Sequence, residues 1–314
     1  MVSLGIVRVA AVQATPVVLD AEATVDKTVG LIGKAAAEGA KLVVLPECFV
    51  SLYPSGAWAA AGARFDGFDE LWERLWTSAV DVNGPLVRRL VDACAQHDVG
   101  LAIGVNERED QRPGTLYNTL LLIGPNGVLH RHRKTMPTMH ERLVHGIGAG
   151  DDIDTVDMDG IGRVGGLICW ENRMPLARWH LERRGPQIWV APTADDSDGW
   201  LATVRHIAIE SGAFVVSVPP YLPRTAFPDD FPVEIPADLD VLGRGGAAVI
   251  EPVNGRVVAG PLYDEEGTLF ADCDLGRGLA AKRWFDAVGH YSRADVLSPR
   301  RDERPGPRTD QAPS

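Results

Sequence analysis

Apolar residues come in short runs divided by polar, Gly-rich and Pro-rich stretches, and the spacing within each run assigns its element. Ile6–Gln13 is mostly apolar and rich in Val, so it reads as a buried strand. Residues 21–38 instead place Val25, Val29, Ile32 and Ala36 on one helical face, and Gly39 stops that helix. Residues 41–45 form a second buried strand, closed by Pro46. A strand, a helix and a strand over roughly 40 residues form a βαβ-like unit, so the chain reads as α/β.

The same reading carries down the chain. Residues 51–78 are aromatic and Gly-rich at first, then helical around Leu71 to Trp76. Residues 84–97 form a helix with Pro85 near its start and Leu86, Leu90 and Cys94 inward. Residues 99–107, 115–124 and 128–133 are strands, and Pro125-Asn126-Gly127 is the hairpin turn between the last two. Residues 163–169 form a strand that stops at Cys169, with a helix at 173–184 and a strand at 187–191. A helix at 197–211, with Val204, Ile207, Ala208 and Ser211 inward, precedes the strand Phe214–Val218. Residues 219–244 show no period and read as a long surface loop. Residues 247–251 and 256–259 make a hairpin, 268–274 a last strand and 279–285 a short helix. From Pro299 on nothing apolar anchors the chain, so residues 299–314 are expected to be a disordered tail. The mixture predicts a single domain over 1–298, with two packed sheets and helices outside.

Composition narrows the function. The chain has 314 residues, of which 45% are hydrophobic, enough for a substantial core. A net charge of −12 argues against nucleic acid or an anionic membrane as partner. No apolar run reaches the roughly 20 residues that span a bilayer. Residues 1–5 lack the basic start of a signal peptide, so a cytoplasmic chain with reduced thiols is expected. Cys48, Cys94, Cys169 and Cys273 form no Cys-x-x-Cys pair, which sets aside zinc ribbons and thioredoxin-type sites.

Three chemical groups each follow an apolar strand. Glu47, after Leu45-Pro46, is a solvated carboxylate or a general base raised by partial burial. Lys134 ends the run His130-Arg131-His132-Arg133-Lys134. Strand alternation turns Arg131 and Arg133 one way and His130, His132 and Lys134 the other. His-x-His suggests a metal pair, but no carboxylate or cysteine cluster completes a ligand set, so no metal is expected. Cys169 is a packing residue or a nucleophile. As a nucleophile it needs a thiolate, which a nearby ammonium would favour while a carboxylate took the proton.

Taken together, these stretches resemble the Glu-Lys-Cys triad of the carbon–nitrogen hydrolase (nitrilase) superfamily over nearly the whole chain. His132-Arg133-Lys134-Thr135-Met136-Pro137-Thr138 with Glu141-Arg142-Leu143 is similar to the lysine motif of its nitrilase branch. Cys169-Trp170-Glu171-Asn172 is similar to the cysteine motif, and Ala191-Pro192-Thr193 and His206-Ile207-Ala208-Ile209-Glu210 match as well. Two positions depart: Cys48 stands where Ala is common, and His145 where Trp is usual.

The resemblance implies a four-layer α-β-β-α sandwich. It implies hydrolysis of a small-molecule nitrile to acid and ammonia through a thioimidate and a thioester, with an amide where carbon–sulfur cleavage wins and with no cofactor. Glu47 would be the general base, Lys134 the electrostatic group and proton donor, Cys169 the nucleophile and Glu141 an auxiliary that orients Lys134. Tyr53, Trp170, Thr193 and Ala194 would wall the pocket, and Glu171 and Asn172 would brace the turn. His206 and Glu210 would pair structurally, and Cys48 and Cys273 would pack. A homo-oligomer is implied, built from dimers and extendable to spirals. An amidase or carbamoylase of the same superfamily is the first alternative, and a silent scaffold the second.

Overall fold

The computed structural model describes residues 4–55, 67–109 and 113–297. Part of the 51–78 excursion and the 299–314 tail lie outside them.

One sheet contains β1 (Ile6–Gln13), β2 (Leu42–Val44), β3 (Gly100–Arg108), β4 (Leu116–Gly124) and β5 (Gly127–Arg133), with a late strand, β13 (Gly267–Asp274), beyond β1. β1, β2 and β3 are parallel, whereas β4, β5 and β13 pair antiparallel. The second sheet has β7 (Gly162–Gly166), β8 (Ile188–Pro192) and β9 (Phe214–Val218) parallel at its centre. β6 (Thr155–Met158) flanks β7, and β11 (Val241–Ile250) joins β9 to β10 (Tyr221–Pro223) and β12 (Val257–Tyr263).

Strand alternation gives each sheet two apolar faces. Val9 and Ala11 of β1 and Val44 of β2 meet Val190, Val216 and Val249 of the other sheet in a shared core. Ala10, Val12 and Val43 point the other way. They pack on α1 (Ala21–Ala37) and α3 (Pro85–His97) through Val25, Ile32, Leu90 and Cys94. On the far side Trp189, Val215 and Ile250 pack on α4 (Pro175–Glu182) and α5 (Asp198–Ser211) through Leu181, Val204 and Ile207. The order is therefore helix, sheet, sheet, helix. Parallel strands covered on both faces read as continuous apolar runs, the pattern of β1 and β9. The remaining helices are α2 (Gly67–Thr77), α6 (Leu275–Trp284) and α7 (Ala294–Leu297).

Three expectations change. The 219–244 loop contains β10 and the start of β11, strands too short or too Gly-rich to show a period. The strand expected at 163–169 ends at Gly166, and Cys169 opens a separate 3-10 turn, Cys169–Arg173. The last helix runs over Leu275–Trp284, capped by Asp274, rather than 279–285.

One glycine sets where Glu47 lies. The segment after β2 docks along β3: Gly104 N donates to Pro46 O, and Asn106 N to Val50 O. A Cβ on Gly104 would lie 2.5 Å from Cys48 N and 2.6 Å from Glu47 Cα. Backbone crowds it there, so no side-chain rotation relieves the clash. Gly104→Ala should cost about 1–3 kcal/mol in thermal unfolding. Turnover should fall further than stability, because the displaced segment carries Glu47. An unchanged melting curve with full activity would refute this close fit.

Candidate active site

Glu47, Lys134, Glu141 and Cys169 all come from segments that leave strands or follow them closely. Glu47 follows β2, and Lys134 directly follows β5. Glu141 sits in the 3-10 turn Met139–Leu143, and Cys169 lies three residues past β7. β2 and β7 both belong to parallel runs, and ligand sites collect at the carboxyl ends of such strands.

The structure brings all four together, and each is buried. Lys134 Nζ donates to Glu47 Oε1 at 2.7 Å and to Glu141 Oε1 at 2.6 Å. Asn118 Nδ2 ties the same carboxylates, at 2.7 Å to Glu47 and 3.3 Å to Glu141. The Tyr53 hydroxyl donates to Glu141 Oε1 at 2.7 Å. Glu47 Oε2 is buried with no hydrogen-bond partner among the described residues, so it is free to receive a proton. Thr193 Oγ1 donates to Cys169 Sγ at 3.2 Å and accepts from Asp195 N at 2.9 Å.

The turn holding the sulfur is strained and braced. Cys169 has φ of 49°, a left-handed conformation uncommon for a side chain other than glycine. Asn172 Nδ2 donates to Leu167 O at 2.7 Å and Cys169 O at 2.9 Å, and Asn172 Oδ1 accepts from Trp189 Nε1. Glu171 accepts from Ile168 N at 2.9 Å and from Thr135 N at 2.6 Å.

These contacts set the proton positions. Burial raises the Glu47 carboxyl to about 7, against the pull of Lys134 and with help from Glu141. Burial alone would lower the pKa of Lys134, but Glu47, Cys169 and Glu141 outweigh it and keep the ammonium charged. The sequence reading had that ammonium favouring a Cys169 thiolate. Instead burial, then the Glu47 charge, pushes the thiol up to about 12. The ammonium does pull the thiol down, as the sequence suggested, but burial and the Glu47 charge outweigh it.

A cavity of about 350 Å³ opens at Cys169, walled by Tyr53, Trp170, Ala194 and Asp195 with Met139 and His140. Thr193 reaches the sulfur from beneath instead of lining this cavity. Beyond Trp170 and Met139 lies a second hollow of about 220 Å³, lined by Met136, Pro137, Met174 and Arg142. Asp195 is gripped by Trp170 Nε1 at 2.7 Å and Arg173 at 2.9 Å, so its charge is compensated. A larger cavity of about 630 Å³ lies beside α1, α2 and α3, but its lining contains no cysteine or lysine.

Cys48 is fully buried next to Glu47 with φ of 45°, and Cys273 is buried in the inter-sheet core. His145 is buried and its pKa is lowered to about 4, so the ring is neutral. Its Nε2–H donates to Asn106 Oδ1 at 2.7 Å, and Asn106 Nδ2 donates to Leu52 O at 2.9 Å. The position thus props the segment leading to Tyr53. His206 and Glu210 approach to 3.6 Å on α5, where Glu210 also binds Arg178. Sequence reasoning passed over Asn118, Asp195 and Gly104. Asn118 carried a signal, a lone amide in the apolar run of β4.

The carbon–nitrogen hydrolase family model matches residues 8–283. An aliphatic nitrilase from Sinorhizobium fredii (strain HH103) is 45% identical over 301 residues, 95% of this chain and 96% of that protein. A bifunctional nitrilase/nitrile hydratase from Nicotiana tabacum is 41% identical, over 93% of this chain and 85% of its own length. The crystal structure of Saccharomyces cerevisiae Nit3, from branch 10 of the nitrilase superfamily, superposes with a TM-score of 0.72 at 21% identity, covering 93% of this chain and 98% of that one. The chain belongs to the carbon–nitrogen hydrolase family and, within it, to the nitrilases.

Proposed function

We propose that this chain hydrolyses an organic nitrile to its carboxylic acid and ammonia, with Cys169 as nucleophile, Glu47 as general base, Lys134 as proton donor and Glu141 as its orienting partner. The observation that carries the reading is the unpartnered Glu47 Oε2 in a site where Lys134 is held between two carboxylates. Relatives named as nitrilases at 41–45% identity support the nitrile as substrate.

With a thiol near 12 and a carboxyl near 7, free thiolate is scarce, so attack and proton transfer occur together. The sulfur bonds to the nitrile carbon as its proton passes to Glu47 Oε2. The nitrogen gains negative charge and takes a proton from Lys134, which Glu47 then reprotonates. This gives the thioimidate. Water adds next, losing a proton to Glu47. Glu47 passes that proton on to the nitrogen, the hydroxyl proton follows by the same route as the carbonyl forms, and the nitrogen leaves as ammonia with a thioester remaining. A second water releases the acid and restores the thiol. Carbon–sulfur cleavage of the tetrahedral species releases an amide instead.

The hollow beyond Trp170 is lined by Pro137 and the flexible apolar side chains of Met136, Met139 and Met174, with Arg142 and Glu171, a largely apolar lining suited to an apolar tail. The substrate class this favours is a nitrile that bears an apolar tail. Leu279 and Trp284 of α6 are exposed by 60% and 72%, which supports a homo-oligomer.

Initial rates on aliphatic, arylaliphatic and aromatic nitriles, run beside the matching amides, test the activity. Nitriles with extended apolar tails should turn over fastest; amides outpacing every nitrile would replace the reading with an amidase. Cys169→Ala should keep the fold and lose turnover, and a slow nitrile should add mass to the Cys169 peptide of the wild type. Because Glu47 must be ionised, kcat/KM should rise with pH through a midpoint near 7. Glu141→Gln should lower kcat and move that rise to lower pH, since the Glu141 charge helps hold Glu47 up. Light scattering should give a mass of at least two chains, and a monomer would contradict the oligomer.

A further inference from the structure

We propose that His132 is a positioning residue: a buried imidazolium, held between Asp152 and Glu171, that keeps Lys134 in register with Cys169. The reaction it serves is the one proposed above, so the inference rests on that reading.

The ring is fully buried. Its Nδ1 lies 2.8 Å from Asp152 Oδ1 and its Nε2 lies 2.9 Å from Glu171 Oε2. A neutral imidazole has one N–H, so it can satisfy only one carboxylate acceptor. Both acceptors are ionised. Glu171 accepts a backbone N–H at each oxygen, from Thr135 and from Ile168, and such bonds favour its ionised form. Asp152 Oδ2 accepts from Arg133 N at 2.8 Å. Both ring nitrogens therefore donate, and the ring is charged. In agreement, Glu171 and Asp152 overcome burial and raise the ring to about 10. The ring in turn keeps Glu171 below the usual carboxylate range despite its burial. The other titratable group near the ring is His130, whose pKa is lowered by burial and by the His132 charge.

The backbone groups these carboxylates hold are the informative ones. Arg133 N and Thr135 N bracket Lys134, and Ile168 N immediately precedes Cys169. One ring thus fixes the chain on both sides of the ammonium and, through Glu171, the approach to the sulfur. A shift of about 1 Å at such a site costs about a hundredfold in rate.

Nitrogen NMR of histidine-labelled protein reads the ring directly. At pH 8.5 one of the eight histidines should have both ring nitrogens protonated, and His132→Gln should remove that signal. Asp152→Asn serves if His132→Gln fails to fold, because it keeps the size and the acceptor for Arg133 N. It should lower kcat tenfold to a hundredfold at unchanged KM. It should also move the alkaline limb, near pH 10 in the wild type, down by about one pH unit while the limb near 7 stays. A merely structural role would lower the melting temperature and leave both limbs in place. A neutral His132 at pH 8.5, or an unmoved alkaline limb in Asp152→Asn, overturns the proposal. The NMR measurement needs no turnover. A charged ring alongside nitrile hydrolysis that survives Cys169→Ala would sink the proposed chemistry and leave the clamp standing.

Discussion

An ammonium without access to water survives only where carboxylates surround it, and that constraint organises the centre of this protein. Lys134 is fully buried, and Glu47 and Glu141 each contact it within 2.7 Å. Removing one partner from a buried pair leaves an uncompensated charge and costs about 3–5 kcal/mol. The three segments that supply these groups therefore depend on one another, since none can move away without stranding a buried charge. Burial first, and the neighbouring carboxylates second, hold the Cys169 thiol protonated and raise Glu47 to about 7.

Around that centre the fold supplies rigid approaches. Gly104 lets the backbone of β3 touch the backbone at Glu47, and Asn118 of β4 reaches both carboxylates with one amide. Asn172, Trp189 and Glu171 hold the turn of Cys169 in a conformation that a side chain seldom adopts unaided. The residues that meet substrate are few, and the larger number that hold them lie one contact further out.

Much of this was legible in the chain. β1 and β9 coincide with their apolar runs because both faces of each strand are covered. Glu47, Lys134 and Cys169 were visible because each follows such a run. β10 and β6 escaped because three or four residues carry no period, and the bounds of β11 escaped because glycines interrupt it. That the thiol ends up raised was not legible, because burial and the Glu47 charge outweigh the ammonium that lowers it. A sequence names an ammonium and a carboxylate but not the burial around them. His132 likewise resembled half of a metal pair, because its partners lie 20 and 39 residues away along the chain.

The surplus of carboxylates bears on how a turnover ends. A nitrile enters without charge and meets no repulsion from Glu47 and Glu141. The product is an anion, made a few ångströms from those two groups, with the pocket's other acid, Asp195, already occupied by Arg173 and Trp170. On the proposed mechanism, the charges beside the sulfur would repel the acid as it forms and so favour its departure.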